Sequence, residues 1–197
     1  MKSLALFAFL SLVGSTFALF DSDDSPVLII NAGHGGKDPG SIVGNLEEAD
    51  LNLAWATTLK NQAEERGMEV MMIRENDEYL DLKTRIERAN SFDGKAILLS
   101  IHMNDAGEHT DKNGAMLYTK IGCSDEEILL RDEMVAHLST FREVNIEEGE
   151  FYVLKNSVHP SLIINPGFMS NASDLANLQS PDYMHSFLDL VLNSIQE

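Results

Sequence analysis

A chain of 197 residues, 44% hydrophobic and 23% charged, is long enough to bury one full core and short for two domains. Fourteen basic against thirty-two acidic residues give a formal charge of −18, with the acidic excess spread along the whole chain. That balance speaks against nucleic acid and anionic membrane surfaces as partners, since both need clustered lysine and arginine. High negative charge reads first as a solubility feature.

The N-terminus has the pattern of an export signal. Lys2 precedes an apolar run over residues 4–13, too short to span a bilayer, and Gly14 breaks it. Thr16-Phe17-Ala18 then places small residues where a signal peptidase cuts, so residues 1–18 are expected to be removed. Only Lys2 is lost among the charged residues, leaving the mature chain one charge more negative. Residues 19–26, with Asp21, Asp23 and Asp24, read as a flexible acidic lead, and residues 27–197 as the folded domain. Cys123 is the only cysteine, so no intramolecular disulfide can form; its acidic surroundings favour a structural role.

In chain order, residues 27–30 (Val-Leu-Ile-Ile) form an apolar run typical of a strand buried on both faces. The run breaks into Gly33, Gly35, Gly36 and Gly40, with His34 in their midst. His34 there is either a ligand brought close to a metal or substrate, or a residue tolerated in a tight turn. Leu51, Trp55, Leu59 and Ala63 recur every four residues and predict a helix over 50–66, stopped by Gly67. A strand is expected at 69–73 and a helix marked by Leu82, Ile86 and Ala89. Further strands are expected at 96–101, 115–119, 151–154 and 162–164. Helices are expected at 124–141, 174–178 and 182–195. Strands alternating with helices predict a single-domain α/β fold: a mostly parallel twisted sheet with helices on both faces.

Three of these strands end on polar residues. The first leads to Asn31 and His34, the 96–101 strand to His102, and the 162–164 strand to Asn165. If the strands are parallel neighbours, these side chains meet at one sheet edge, where α/β proteins bind ligands. An acidic stretch containing Glu47, Glu48 and Asp50 lies between the two histidines. Two histidines, a carboxylate and an open position suit a hydrolytic zinc site. A helix-capping acid with two buried histidines accounts for the same residues.

The same residues carry a family resemblance. Asn31-Ala-Gly-His-Gly-Gly-Lys-Asp-Pro-Gly40 and Glu48-Ala-Asp-Leu-Asn-Leu53 resemble the opening blocks of the zinc-dependent N-acetylmuramoyl-L-alanine amidases, the amidase-3 family of cell-wall hydrolases. Arg74, Arg85-Ile-Glu-Arg-Ala-Asn90 and Ser100-Ile-His-Met-Asn104 continue the match. It ends with Phe151-Tyr-Val-Leu-Lys-Asn156 and Pro160-Ser-Leu-Ile-Ile-Asn-Pro-Gly-Phe-Met-Ser-Asn171. The resemblance covers nearly all of the chain from Val27 onward.

It implies one Zn²⁺ per chain, held by His34, Glu48 and His102; Glu48 matches rather than Glu47 because it stands two residues before Asp50. It implies cleavage of the amide joining N-acetylmuramic acid to L-alanine in peptidoglycan or soluble muropeptides. The metal would polarise the scissile carbonyl, and a carboxylate beside it would shuttle a proton to the leaving amine. That carboxylate is a glutamate in the family, but here its position holds Asn165, which cannot take a proton at neutral pH. The aspartate common in the first block is likewise an amide, Asn31. His159 should lie roughly 20 Å from Asn165, at the far end of its strand, too distant to act as a substitute base. His109, in the loop after His102, could reach the mouth of the site. His137 and His185 fall on predicted helices. Two functions remain: a slow zinc amidase, or a non-catalytic module that binds zinc and muropeptides. Either is expected to be an exported monomer, periplasmic or extracellular, with no membrane contact after signal cleavage.

Overall fold

The computed structural model describes residues 25–107 and 111–196. The expected signal peptide and His109 lie outside these residues. Continuous apolar runs became the central strands. β1 (Val27–Ala32) and β8 (Ser161–Asn165) are buried at every position, and β5 (Ala96–Ile101) at all but one. β4 (Val70–Met72) lies outside β1, while β6 (Ala115–Lys120) alternates buried and half-buried positions. With β7 (Val144–Gly149) they form one sheet in the order β4-β1-β5-β8-β6-β7. The first four are mutually parallel; β6 pairs antiparallel with β8, and β7 runs parallel to β6. The sheet is therefore mostly parallel, as expected.

Helices cover both faces. α1 (Glu48–Glu65), α3 (Asp125–Leu138), α5 (Ala172–Leu178) and α6 (Pro181–Gln196) close the larger core, where Trp55, Met134 and Phe187 are fully buried. α2 (Leu82–Asn90) and α4 (Tyr152–Asn156) cover the opposite face, packing Ile86, Ala89, Val153 and Leu154 on Ile29, Leu98 and Ile163. Local chemistry sets the helix starts. Asp81 accepts the Thr84 backbone N–H at 2.7 Å, and Ser124 with Glu127 forms a reciprocal capping box.

Two expectations need correction, and two elements were not expected at all. Residues 151–154 are not a strand: Tyr152 begins a short helix that buries Val153 and Leu154 while leaving Tyr152 exposed. A four-residue apolar run fits either element, and here the other face of the sheet needed a cover. Leu82 is not a core marker but the exposed first residue of α2. The edge strand β7 went unpredicted because Val144 and Ile146 are its only apolar residues, too short an alternation to stand out beside Asn145, Glu147 and Glu148. So did the small antiparallel hairpin of β2 (Ile42–Val43) and β3 (Leu46–Glu47), which leads straight into α1.

Candidate metal centre and ligand groove

β1, β5 and β8 are adjacent and parallel, so their carboxyl ends bring His34, His102 and Asn165 to one edge. Glu48 arrives differently: it is the first residue of α1, which the β2–β3 hairpin aims at that edge. Candidate ligand atoms of His34, Glu48 and His102 all lie within 4.8 Å of one another. Glu48 sits in the middle, with Oε2 3.3 Å from His34 Nε2 and Oε1 3.1 Å from His102 Nδ1. The Met103 N–H and Asn52 Nδ2 donate to Oε1, and the Ser41 N–H donates to Oε2. Asp38 Oδ2 contacts His34 Nδ1 at 2.9 Å, which orients the ring and leaves Nε2 facing Glu48.

The electrostatics follow from this crowding. Burial opposes ionisation of Glu48, but hydrogen bonds from His102 and His34 outweigh it and hold the carboxyl well below its usual range. The Glu48 hydrogen bond likewise raises the His34 pKa against the cost of burial, with Asp38 adding to the effect. Glu48 thus stays an anion at the centre of the cluster, a charge that a bound cation would offset.

The backbone is shaped for close approach. His34 has φ of 56°, rare for a non-glycine residue and a mark of a strained functional turn. A Cβ on Gly33 would stand 2.2 Å from His102 Cε1, and one on Gly40 would stand 2.6 Å from Glu48 Oε2. Two buried arginines hold this loop from beneath. Arg74 donates to the carbonyls of Ala32, Gly33, Asn76 and Ala49. Arg85 donates to those of Leu80, Ala32 and His34, and to Asn31 Oδ1. Burial lowers the Arg85 pKa to about 10, still far above neutrality. Asn31, an amide where an acid was common, thus accepts from a buried cation and donates to Ser100 Oγ.

The cluster opens into a cavity of about 590 Å³ whose walls include Asn104, Tyr118, Glu147, Phe151 and Asn165. Asn165 is only 4% exposed; its Nδ2 donates to Asn104 Oδ1 at 2.7 Å. Tyr118 Oη donates to the same oxygen at 3.0 Å, and burial raises its pKa and keeps it protonated. Asn165 Oδ1 and Asn104 Nδ2 have no hydrogen-bond partner. The carboxamide chemistry of position 165 therefore stands locked among neutral groups.

No other described histidine reaches this cavity. His159 lies before β8 and lines a separate cavity with Lys95 and Pro160 at the opposite sheet end. His137 contacts the Glu133 carbonyl on α3, and His185 contacts Gln62. Cys123 donates to the Lys120 carbonyl beyond β6, at the end where antiparallel pairing carries it away from the cluster. Sequence reasoning missed the supporting set of Asp38, Asn52, Asn104, Tyr118 and Glu147. Of these, only Asp38, four residues from His34, carried a local signal.

With this geometry in place, comparison with known proteins is decisive. The family described as Amidase_3, N-acetylmuramoyl-L-alanine amidase, matches residues 28–197. The chain belongs to the Amidase_3 family. It is 31% identical over 164 residues to the N-acetylmuramoyl-L-alanine amidase CwlM of Bacillus licheniformis, covering 81% of this chain and 63% of that protein. It is 30% identical over 161 residues to the amidase LytC of Bacillus subtilis strain 168, covering 79% of this chain but 32% of LytC. The chain thus spans less than two thirds of these two relatives. Among solved structures it resembles the catalytic domain of CwlV from Bacillus (Paenibacillus) polymyxa var. colistinus. That match has a TM-score of 0.76 and 27% identity, covering 86% of this chain and 96% of the other. As an Amidase_3 domain, it has an amidase fold, and its position 165 carries an amide. No helix among the described residues is long and apolar enough to cross a membrane.

Proposed function

We propose that this Amidase_3 domain is a zinc-dependent N-acetylmuramoyl-L-alanine amidase of low turnover, acting on peptidoglycan or its soluble fragments. The observation that carries the reading is the His34–Glu48–His102 cluster, its ligand atoms within 4.8 Å of one another at the mouth of a cavity. Two imidazoles and a carboxylate suit zinc, and Asp38 and Asn52 support them as outer-shell partners support metal ligands. Bound there, zinc would supply Lewis acidity towards the scissile carbonyl. The chain's own residues do the rest. Asp38 fixes the His34 ring, Asn52 and the Met103 N–H fix Glu48, and Asn165 can orient a hydrogen-bonded group without accepting its proton.

The amide at 165 also favours a second reading, a module that binds zinc and muropeptides without cleaving them. End-point digestion of purified peptidoglycan fragments by the zinc-loaded mature protein separates the two. Release of free stem peptide supports the amidase, and undigested fragments retained by the protein support the binder. Under both readings the chain is exported, with cleavage after Ala18, and acts as a monomer in the periplasm or medium.

Two results are expected at the centre itself. Metal analysis after dialysis gives one zinc per wild-type chain and almost none in the His34→Ala, His102→Ala double variant; equal contents would overturn the assignment. Gly33→Ala, whose new Cβ would collide with His102, is expected to lose most of its zinc while keeping its far-ultraviolet circular dichroism. Full zinc retention would show that His102 can move aside without leaving the site.

A further inference from the structure

The walls of the ligand cavity carry four carboxylates, and three of them are already engaged. Glu48 belongs to the histidine cluster, Asp38 contacts His34, and Asp81 caps α2. Arg85 also lines the cavity, but its guanidinium donates to three carbonyls and Asn31 and has no donor directed at an acid. Glu147 is different. It is exposed on the edge strand β7, has no ion pair or side-chain hydrogen bond among the described residues, and lies beside Tyr118 in the sheet register. Tyr118 and Phe151 form an edge-to-face pair at 5.0 Å next to it. A free carboxylate beside an aromatic pair suits a primary ammonium, which gains from the charge and from contact with an aromatic ring.

Toward Glu147 the cavity wall carries the neutral side chains of Asn104, Asn165 and Tyr118, hydrogen-bonded to one another through Asn104 Oδ1. Glu147 stands three strands from β5, the strand that bears His102, a distance of about 14 Å or four extended residues.

We propose that Glu147 is a specificity-determining residue that binds a side-chain ammonium of the ligand's peptide, as a diamino acid provides. This assignment rests on the amidase reading for its ligand class and names the part of the ligand that is recognised. The edge-strand charge of Glu147 otherwise serves only to deter strand pairing, which requires no ligand.

The test uses the mature, zinc-loaded protein and three muramyl tripeptides. One carries lysine at the third position, one carries Nε-acetyl-lysine there, and one carries acetyl-lysine but a free amine on the sugar. Equilibrium dissociation constants are measured for wild type and Glu147→Gln, so binding is read whether or not cleavage follows. Wild type is expected to bind the lysine peptide about five- to tenfold more tightly than the acetylated one, with a preference that fades at high salt. Glu147→Gln is expected to lose that preference while binding the acetylated peptide as wild type does. Equal wild-type binding of the first two probes overturns the assignment and leaves the amidase reading intact, since hydrolysis of either probe is scored separately. So does a loss of affinity for both probes in the variant, or a preference that follows the sugar amine. Absence of both binding and hydrolysis in wild type overturns both readings.

Discussion

Replacing Asn165 with glutamate is expected to raise amidase turnover at least about tenfold, within the roughly 10²–10⁴ contributed by general acid–base catalysis. Amide hydrolysis requires a group that takes one proton and later delivers one to nitrogen, and the carboxamide of Asn165 does neither at neutral pH. Its surroundings can accept the change. A carboxylate at 165 would first meet Asn104 Oδ1, acceptor against acceptor, where Asn165 Nδ2 now donates. Asn104 resolves the conflict by turning its amide, because its Nδ2 is without a partner and becomes the donor. The cavity on one side of Asn165 gives room for the added methylene. Wild type, Asn165→Glu and Asn165→Ala are compared on one muropeptide, each with its zinc content measured. Strong wild-type turnover that falls in Asn165→Ala would show that the amide is itself competent. Strong turnover that survives the alanine would reveal another base, with His109 the first to replace.

Truncating Trp55 to alanine is expected to cost about 3–5 kcal/mol of stability, the range for large aromatic side chains deleted from cores. Trp55 is wholly buried where α1, α5 and α6 meet. Its ring packs against Phe187 at 5.6 Å and Tyr183 at 6.2 Å, and its Nε1 donates to the Leu178 carbonyl at 3.0 Å. Removal therefore leaves both a void and an unpartnered carbonyl. For a domain of this size the loss corresponds to a fall in Tm on the order of 10 °C. Trp55→Phe keeps most of the packing but not the hydrogen bond, and should fall between the two. Denaturant titration decides the matter. An unchanged midpoint in Trp55→Ala would place the indole outside the core and make it available to ligands.

The sequence alone determined the elements whose burial is one-sided or total. Residues 27–30 and 96–101 read as strands buried on both faces, because Ser100 alone among them is polar, and in the structure only Ile97 of the two runs is part-exposed. The four-residue spacing of Leu51, Trp55, Leu59 and Ala63 likewise required a helix with that face in the core. The family blocks placed the candidate ligands on His34, Glu48 and His102, although spacing alone left them level with a capping acid and two buried histidines. Tertiary structure decided what depends on partners distant in the chain. Residues 151–154 became a helix because the second face of the sheet lacked a cover, and β7 became a strand through backbone pairing with β6. The locked amide of Asn165 depends on Asn104 and Tyr118, 61 residues from the first and on an antiparallel strand with the second. The free carboxylate of Glu147 faces the ligand cavity only because that strand reverses direction and carries its neighbour with it. Side-chain pattern reports how each segment meets water. It does not report which segments meet each other, and the chemistry of this site is made by that second choice.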